Sequence, residues 1–119
     1  MHITEKIKST IRDVKDFPKE GIVFKDITPI FLDSELVAEI VDAICSQVKG
    51  LKIDAIACVE ARGFLLGPLI AQKLSIPFIP IRKQGKLPYE TVSYSYDLEY
   101  GSETIEMHSD AINIGANVL

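Results

Sequence analysis

At 119 residues, 47% of them hydrophobic, the chain has the make-up of one globular domain that buries a core, which excludes a disordered segment. Its 13 basic and 17 acidic side chains give a net charge of −4, so the chain as a whole offers no electrostatic footprint for nucleic acid. No apolar run has the length of a signal peptide or a membrane span, and Cys45 and Cys58 lack metal-type spacing, so a soluble, reduced, cytoplasmic protein is expected.

From Thr4, the residues Ile7, Ile11 and Val14 recur at helical spacing and predict a short amphipathic helix that ends before Pro18. Phe17-Pro18-Lys19-Glu20-Gly21 reads as a turn, and Ile22-Val23-Phe24 as a short extended run leading into Lys25-Asp26-Ile27-Thr28-Pro29. Asp33 or Ser34 caps a longer helix whose apolar stripe is Leu36, Val37, Ile40, Val41, Ile44 and Val48, with Gly50 placed to end it. Ile53 to Val59 suits a strand buried on both faces, a second helix runs from Phe64 to Leu74, and Phe78 to Ile81 forms another strand. That order is a βαβ unit. It puts Glu60 to Gly63 and Arg82 to Lys86 beyond the carboxyl ends of parallel strands, where ligands bind in open α/β sheets. Val92 to Tyr100 alternates, with Val92, Tyr94, Tyr96, Leu98 and Tyr100 on one face and Ser93, Ser95, Asp97 and Glu99 on the other; Ile105-Glu106-Met107 makes its short partner. After Gly115, Asn117-Val118-Leu119 reads as the start of a further apolar strand.

Several groups could carry chemistry. Arg62, directly after a buried strand and before Gly63 at a helix start, either offers a guanidinium and backbone N–H groups to an anion or pairs with Glu60 on the surface. Arg82, Lys83 and Lys86 put three cations within five positions of a Gly- and Pro-shaped loop, which suits a polyphosphate or serves as a solvated basic loop. Glu99 and Asp97 are carboxylates on a polar face, either catalytic or simply exposed. His2, near the terminus, and His108, among polar residues, receive no role.

Taken in order, Phe17-Pro18-Lys19-Glu20-Gly21-Ile22-Val23-Phe24-Lys25-Asp26-Ile27-Thr28-Pro29, Glu60-Ala61-Arg62-Gly63-Phe64, Arg82-Lys83-Gln84-Gly85-Lys86-Leu87-Pro88 and Tyr96-Asp97-Leu98-Glu99-Tyr100-Gly101 resemble the adenine phosphoribosyltransferases, of the type I phosphoribosyltransferase family. The resemblance covers essentially the whole chain and implies the phosphoribosyltransferase α/β fold, built on a parallel sheet with a small N-terminal hood. Residues to about 33 would be helix and hood, and 34–119 the α/β core with a mobile loop over about 86–96. It implies a glycosyltransferase of purine salvage that moves the phosphoribosyl group from phosphoribosyl pyrophosphate (PRPP) to adenine, giving AMP and pyrophosphate with Mg2+, as a cytoplasmic homodimer.

Carried over by the resemblance, Val23, Phe24 and Lys25 recognise adenine, and Glu60, Ala61 and Arg62 form a pyrophosphate loop in which the family often holds a non-proline cis peptide. Arg82, Lys83 and Lys86 surround the pyrophosphate, Glu99 handles the adenine proton, and Tyr100 stands beside it in the loop. Lys25 stands where many members carry Arg, and Tyr89 where a basic residue is common. Family members continue with an apolar strand, two adjacent acidic residues and a Gly/Thr-rich loop that together hold the ribose and its 5′-phosphate; these 119 residues contain no such acidic pair. The expectation is therefore a chain covering the N-terminal two thirds of the family fold and inactive by itself. The alternatives are a xanthine-type enzyme and a non-catalytic dimerising or binding module of the same fold.

Overall fold

The computed structural model describes residues 2–119, which form two compact units dividing after Gln47. In the first unit α1 (Ile3–Thr10) is followed by β1 (Arg12–Lys15), β2 (Val23–Asp26), a 3-10 turn (Thr28–Leu32) and α2 (Ser34–Gln47). His2 caps α1 by accepting from the Thr4 N–H at 3.2 Å, and Ile11, already extended, ends it. The helix predicted to run on through Val14 is thus corrected: Val14 lies on β1, opposite Phe24.

The reason is non-local. In the β1–β2 pair Arg12 faces Asp26 and Asp13 faces Lys25, with ion-pair distances of 2.8 Å and 2.6 Å. A slip of one residue either way would set Arg12 against Lys25 or Asp13 against Asp26, so the charges select the register. Asp33 caps α2 as predicted, its Oδ1 accepting from the Leu36 N–H at 3.1 Å. Leu36, Ile40 and Val41 are its buried residues, three of the six predicted for its stripe.

The second unit is a four-stranded mixed sheet in the order β3 (Ile56–Val59), β4 (Phe78–Lys83), β6 (Ser102–His108), β5 (Thr91–Asp97), with α3 (Gly63–Leu74) packed on β3 and β4. β3 and β4 are parallel, joined through α3, so the predicted βαβ unit is present; the β4–β6 and β6–β5 pairs are antiparallel. Ala55, Ile56, Ile70, Ala71 and Ile79 form its buried core. Along the other edge of β3, residues 117–119 run parallel: Asp54 N–H donates to Asn117 O at 2.7 Å, Leu119 N–H to Ala55 O at 3.0 Å and Ala57 N–H to Leu119 O at 2.9 Å. The apolar strand read at Asn117-Val118-Leu119 therefore pairs where a parallel sheet would extend.

Further boundaries differ from the prediction: β3 begins at Ile56 and not at Ile53, and β6 spans Ser102–His108 where only Ile105 to Met107 was expected. β4 runs on to Lys83 because Arg82 and Lys83 pair with Glu106 and Ile105 on β6, past the last residue that β3 supports. The alternating segment stops at Asp97, where Leu98 N–H closes a turn on Gly101 O at 2.9 Å and Gly101 takes φ +89°. Glu99 and Tyr100 are therefore turn residues, and the loop read over about 86–96 becomes strand from Thr91. No helix among the described residues is long and apolar enough to cross a membrane.

α3 reaches β3 through two glycines. A Cβ on Gly63 would stand 3.1 Å from Cys58 Cβ, and one on Gly67 would meet Cys58 Sγ and lie 2.9 Å from the Phe78 ring. Hydrogen at these positions lets the helix start sit directly on the end of the strand. Gly67→Ala should destabilise the chain by about 1–3 kcal/mol, the usual cost of overpacking; thermal unfolding checks it, and an unchanged Tm would contradict this seating.

Candidate functional site

The first residue past β3 organises the second unit's polar cluster. Glu60 continues the ladder, its N–H donating to Ile81 O at 2.9 Å, and its peptide with Ala61 is cis, as the resemblance implies. Its side chain is only 9% exposed and gathers three donors: Lys86 Nζ on Oε2 at 2.6 Å, and the Lys83 N–H at 2.8 Å and Arg82 Nε at 3.2 Å on Oε1. The hydrogen bond from Lys86 and that from the Lys83 N–H, with the charges of Lys86 and Arg82, hold its carboxyl well below the usual range, at about 2. A carboxylate so enclosed is an internal counter-ion for a basic loop.

Ala61 and Arg62 are exposed, and α3 begins at Gly63. Phe64 N–H and Leu65 N–H turn back to Ala61 O and Arg62 O at 3.1 Å each, so the N–H groups before them have no acceptor within the helix. Arg62 takes no part in the Glu60 cluster, so of its two readings the surface pair with Glu60 is not made. Among the described residues the Arg62 guanidinium pairs with no carboxylate, and beside the N–H groups at the start of a 12-residue helix it is suited to an anion. Lys83 turns its ammonium to Glu103 at 3.7 Å. Cys58, behind this loop, has its thiol pushed up by burial, which leaves it a packing residue.

Glu99 and Tyr100 are both exposed, Tyr100 at 88%. Their turn stands at the hairpin tip, roughly 15 Å along β6 from the rung that joins Glu106 to Arg82, at about 3.4 Å per residue. The structure does not bring Glu99 to the Glu60 cluster. In the first unit, Val23 ends the β1–β2 ladder opposite Lys15, half exposed; Phe24 packs edge-on against Phe17 with ring centroids 5.2 Å apart; and Lys25 is held by Asp13. Asp26 is held at about 2, chiefly by hydrogen bonds from Thr28 and Arg12.

A residue the sequence reading passed over is Glu106. Its carboxylate accepts from the Gly85 N–H at 2.8 Å and from Thr91 Oγ1 at 3.0 Å, so it touches both ends of the loop that carries Lys86. Only its place on an alternating strand signalled that it faces the same side as Ser93 and Arg82.

The depressed Glu60 carboxyl makes a signed prediction. Because the folded state holds it below its ordinary value of 4.5, its contribution to stability is complete above that pH and is lost as pH falls toward about 2. Glu60→Gln should be less stable than the parent at neutral pH and lose less stability over that acid range. Urea unfolding at several pH values tests this, and parallel pH profiles would contradict it.

No family model matches the chain. Against individual proteins it is 56% identical over 116 residues to the adenine phosphoribosyltransferase of Cytophaga hutchinsonii, covering 98% of this chain and 64% of that protein. It is 49% identical to that of Trichlorobacter lovleyi, covering 97% of this chain and 67% of the other. The crystal structure of the Saccharomyces cerevisiae adenine phosphoribosyltransferase complexed with an imino-altritol bisphosphate and adenine superposes with a TM-score of 0.92 at 39% identity, over 98% of this chain and 68% of that one. The chain thus spans about two thirds of the length of the curated relatives it matches. With such identity along nearly its whole length, this chain belongs to the adenine phosphoribosyltransferase family.

Proposed function

We propose that this chain supplies the adenine-recognising and pyrophosphate-binding parts of an enzyme that transfers the 5-phosphoribosyl group from PRPP to N9 of adenine, releasing pyrophosphate and forming AMP. The observation that carries the reading is the gathering of Lys86, Arg82 and the Lys83 N–H at the end of β3, beside the N-terminus of α3 and the exposed Arg62, in a chain 56% identical to an adenine phosphoribosyltransferase.

The chemistry follows from charge. As pyrophosphate leaves C1′, negative charge grows on its oxygens, and fixed cations and N–H groups placed for that charge lower the barrier. Arg62 and the α3 N-terminus are open to receive it. Lys86 is held by Glu60 at 2.6 Å and would exchange that carboxylate for the more highly charged ligand. Val23, Phe24 and Lys25 of the first unit are read as the adenine contact, with Phe24 already braced by Phe17. Glu99 is read as the group that handles the adenine proton, a role that requires the hairpin tip to approach the purine.

Among the described residues there is no group of three or more His, Cys, Asp or Glu side chains that could hold a metal. Glu60 has its oxygens committed to nitrogen donors. In this reading the Mg2+ that the resemblance implies would arrive bound to the phosphates of PRPP, where it would supply charge neutralisation. A homodimer and a cytoplasmic location belong to the same reading and rest on the resemblance.

The 119 residues hold no adjacent acidic pair and no Gly/Thr-rich loop of the kind the family uses for ribose and 5′-phosphate, so by themselves they should not position C1′ against N9. AMP formation from adenine, PRPP and magnesium tests both parts. We expect none from the 119 residues alone, and AMP from the same residues joined to the remaining third of a relative. In that fusion Lys86→Ala should lower kcat/KM by about 10²-fold, in the range seen when one charge-stabilising donor is removed. Turnover by the 119 residues alone, or xanthine accepted in preference to adenine, would contradict the reading.

A further inference from the structure

The 85–91 loop carries Lys86 and is closed at both ends by one carboxylate. Glu106 lies mid-strand on β6, between β4 and β5, opposite Arg82 on one side and Ser93 on the other. Its Oε1 accepts from the Gly85 N–H at 2.8 Å, at the turn where Gly85 takes φ +86°, and its Oε2 accepts from Thr91 Oγ1 at 3.0 Å, at the first residue of β5. Gln84 N–H bonds to Thr104 O at 3.1 Å, and His108 Nε2 stands 2.7 Å from Pro88 O, so the loop is fastened to β6 along its length. Among the described residues, Glu106 is the one side chain that contacts both of its ends. Lys86 follows Gly85 directly, so the clamp acts one residue from the backbone that aims the ammonium at Glu60.

We propose that Glu106 is a positioning residue for the anion site: by clamping Gly85 and Thr91 it holds Lys86 at the end of β3, in place for a pyrophosphate. This rests on the reading of the Glu60 cluster as the pyrophosphate site. Glu106 does not touch the ligand. It replaces the entropy of an open loop with a fixed lysine before binding, and a ligand that meets a fixed cation loses less freedom than one that must order it.

The test is calorimetric titration of sodium pyrophosphate, with magnesium chloride, into the chain and its variants, with thermal melts alongside. Glu106→Ala should weaken Kd about 5–10-fold, the size expected for losing one or two hydrogen bonds, and Thr91→Val about 2–3-fold through the single contact it removes. Glu106→Gln, whose amide can serve both partners, should bind within about twofold of the parent. The Glu106→Ala/Lys86→Ala double variant should bind no more weakly than Lys86→Ala, because the clamp acts through Lys86. A purely structural carboxylate would lower Tm and leave Kd unchanged, and that result for Glu106→Ala would overturn the proposal. So would losses that add in the double variant. If Glu106→Ala does not fold, Thr91→Val and Glu106→Gln decide the matter, and unchanged affinity in Thr91→Val would contradict the clamp. Absence of any pyrophosphate binding by the parent chain would defeat the site reading itself, and this inference with it.

Discussion

The second unit's chemistry depends on one carboxylate. Glu60 stands where β3 ends, nearly enclosed, and holds Lys86, Arg82 and the Lys83 N–H at once. Lys86 and Arg82, two cations drawn from one strand end and its loop, would repel each other without it, and a half-buried carboxylate would be costly without them. Each side makes the other tolerable, and together they gather positive charge at one end of a parallel strand pair. In the proposed reading, an incoming polyphosphate would meet cations that are already collected.

That arrangement needs the helix start to be close, which is where the packing enters. Gly63 and Gly67 let α3 descend onto Cys58 and Phe78, and the descent sets the first turn of the helix immediately after Glu60 and Arg62. Larger residues would lift the helix and carry its open N–H groups away from the lysine loop. On the other side of the loop the antiparallel rung from β4 to β6 fixes Arg82 and Lys83 as strand residues, so two of the three cations sit on sheet and only Lys86 depends on a loop. The Glu106 contacts supply to that loop what the ladder supplies to the strand.

Much of this was legible in the sequence, for definable reasons. The βαβ unit, the Asp33 cap and the α2 stripe are local patterns, and local periodicity reads them. The grouping of Glu60, Arg82, Lys83 and Lys86 followed from placing both segments at strand ends. β1 was missed because Val14 sits three residues after Ile11 and so fits a helical period; only the matching of Arg12-Asp13 against Lys25-Asp26 across a turn shows that it is a strand. Alternation carried the reading of β5 on through Tyr100, since a period of two does not register a turn made by Leu98 and Gly101. Glu106 was passed over because its partners lie 21 and 15 residues away in the chain. Such contacts belong to topology, which a single sequence carries only through its neighbours in space.

The measurement that reaches the centre of this account is an NMR titration of the chain with pyrophosphate and magnesium, following backbone amides and the lysine ammonium groups. The account predicts saturable shifts confined to residues 61–64 and 83–86, with the Lys86 ammonium leaving Glu60 as the site fills. Shifts that never saturate, or that centre on other parts of the chain while Lys86 stays on Glu60, would contradict it.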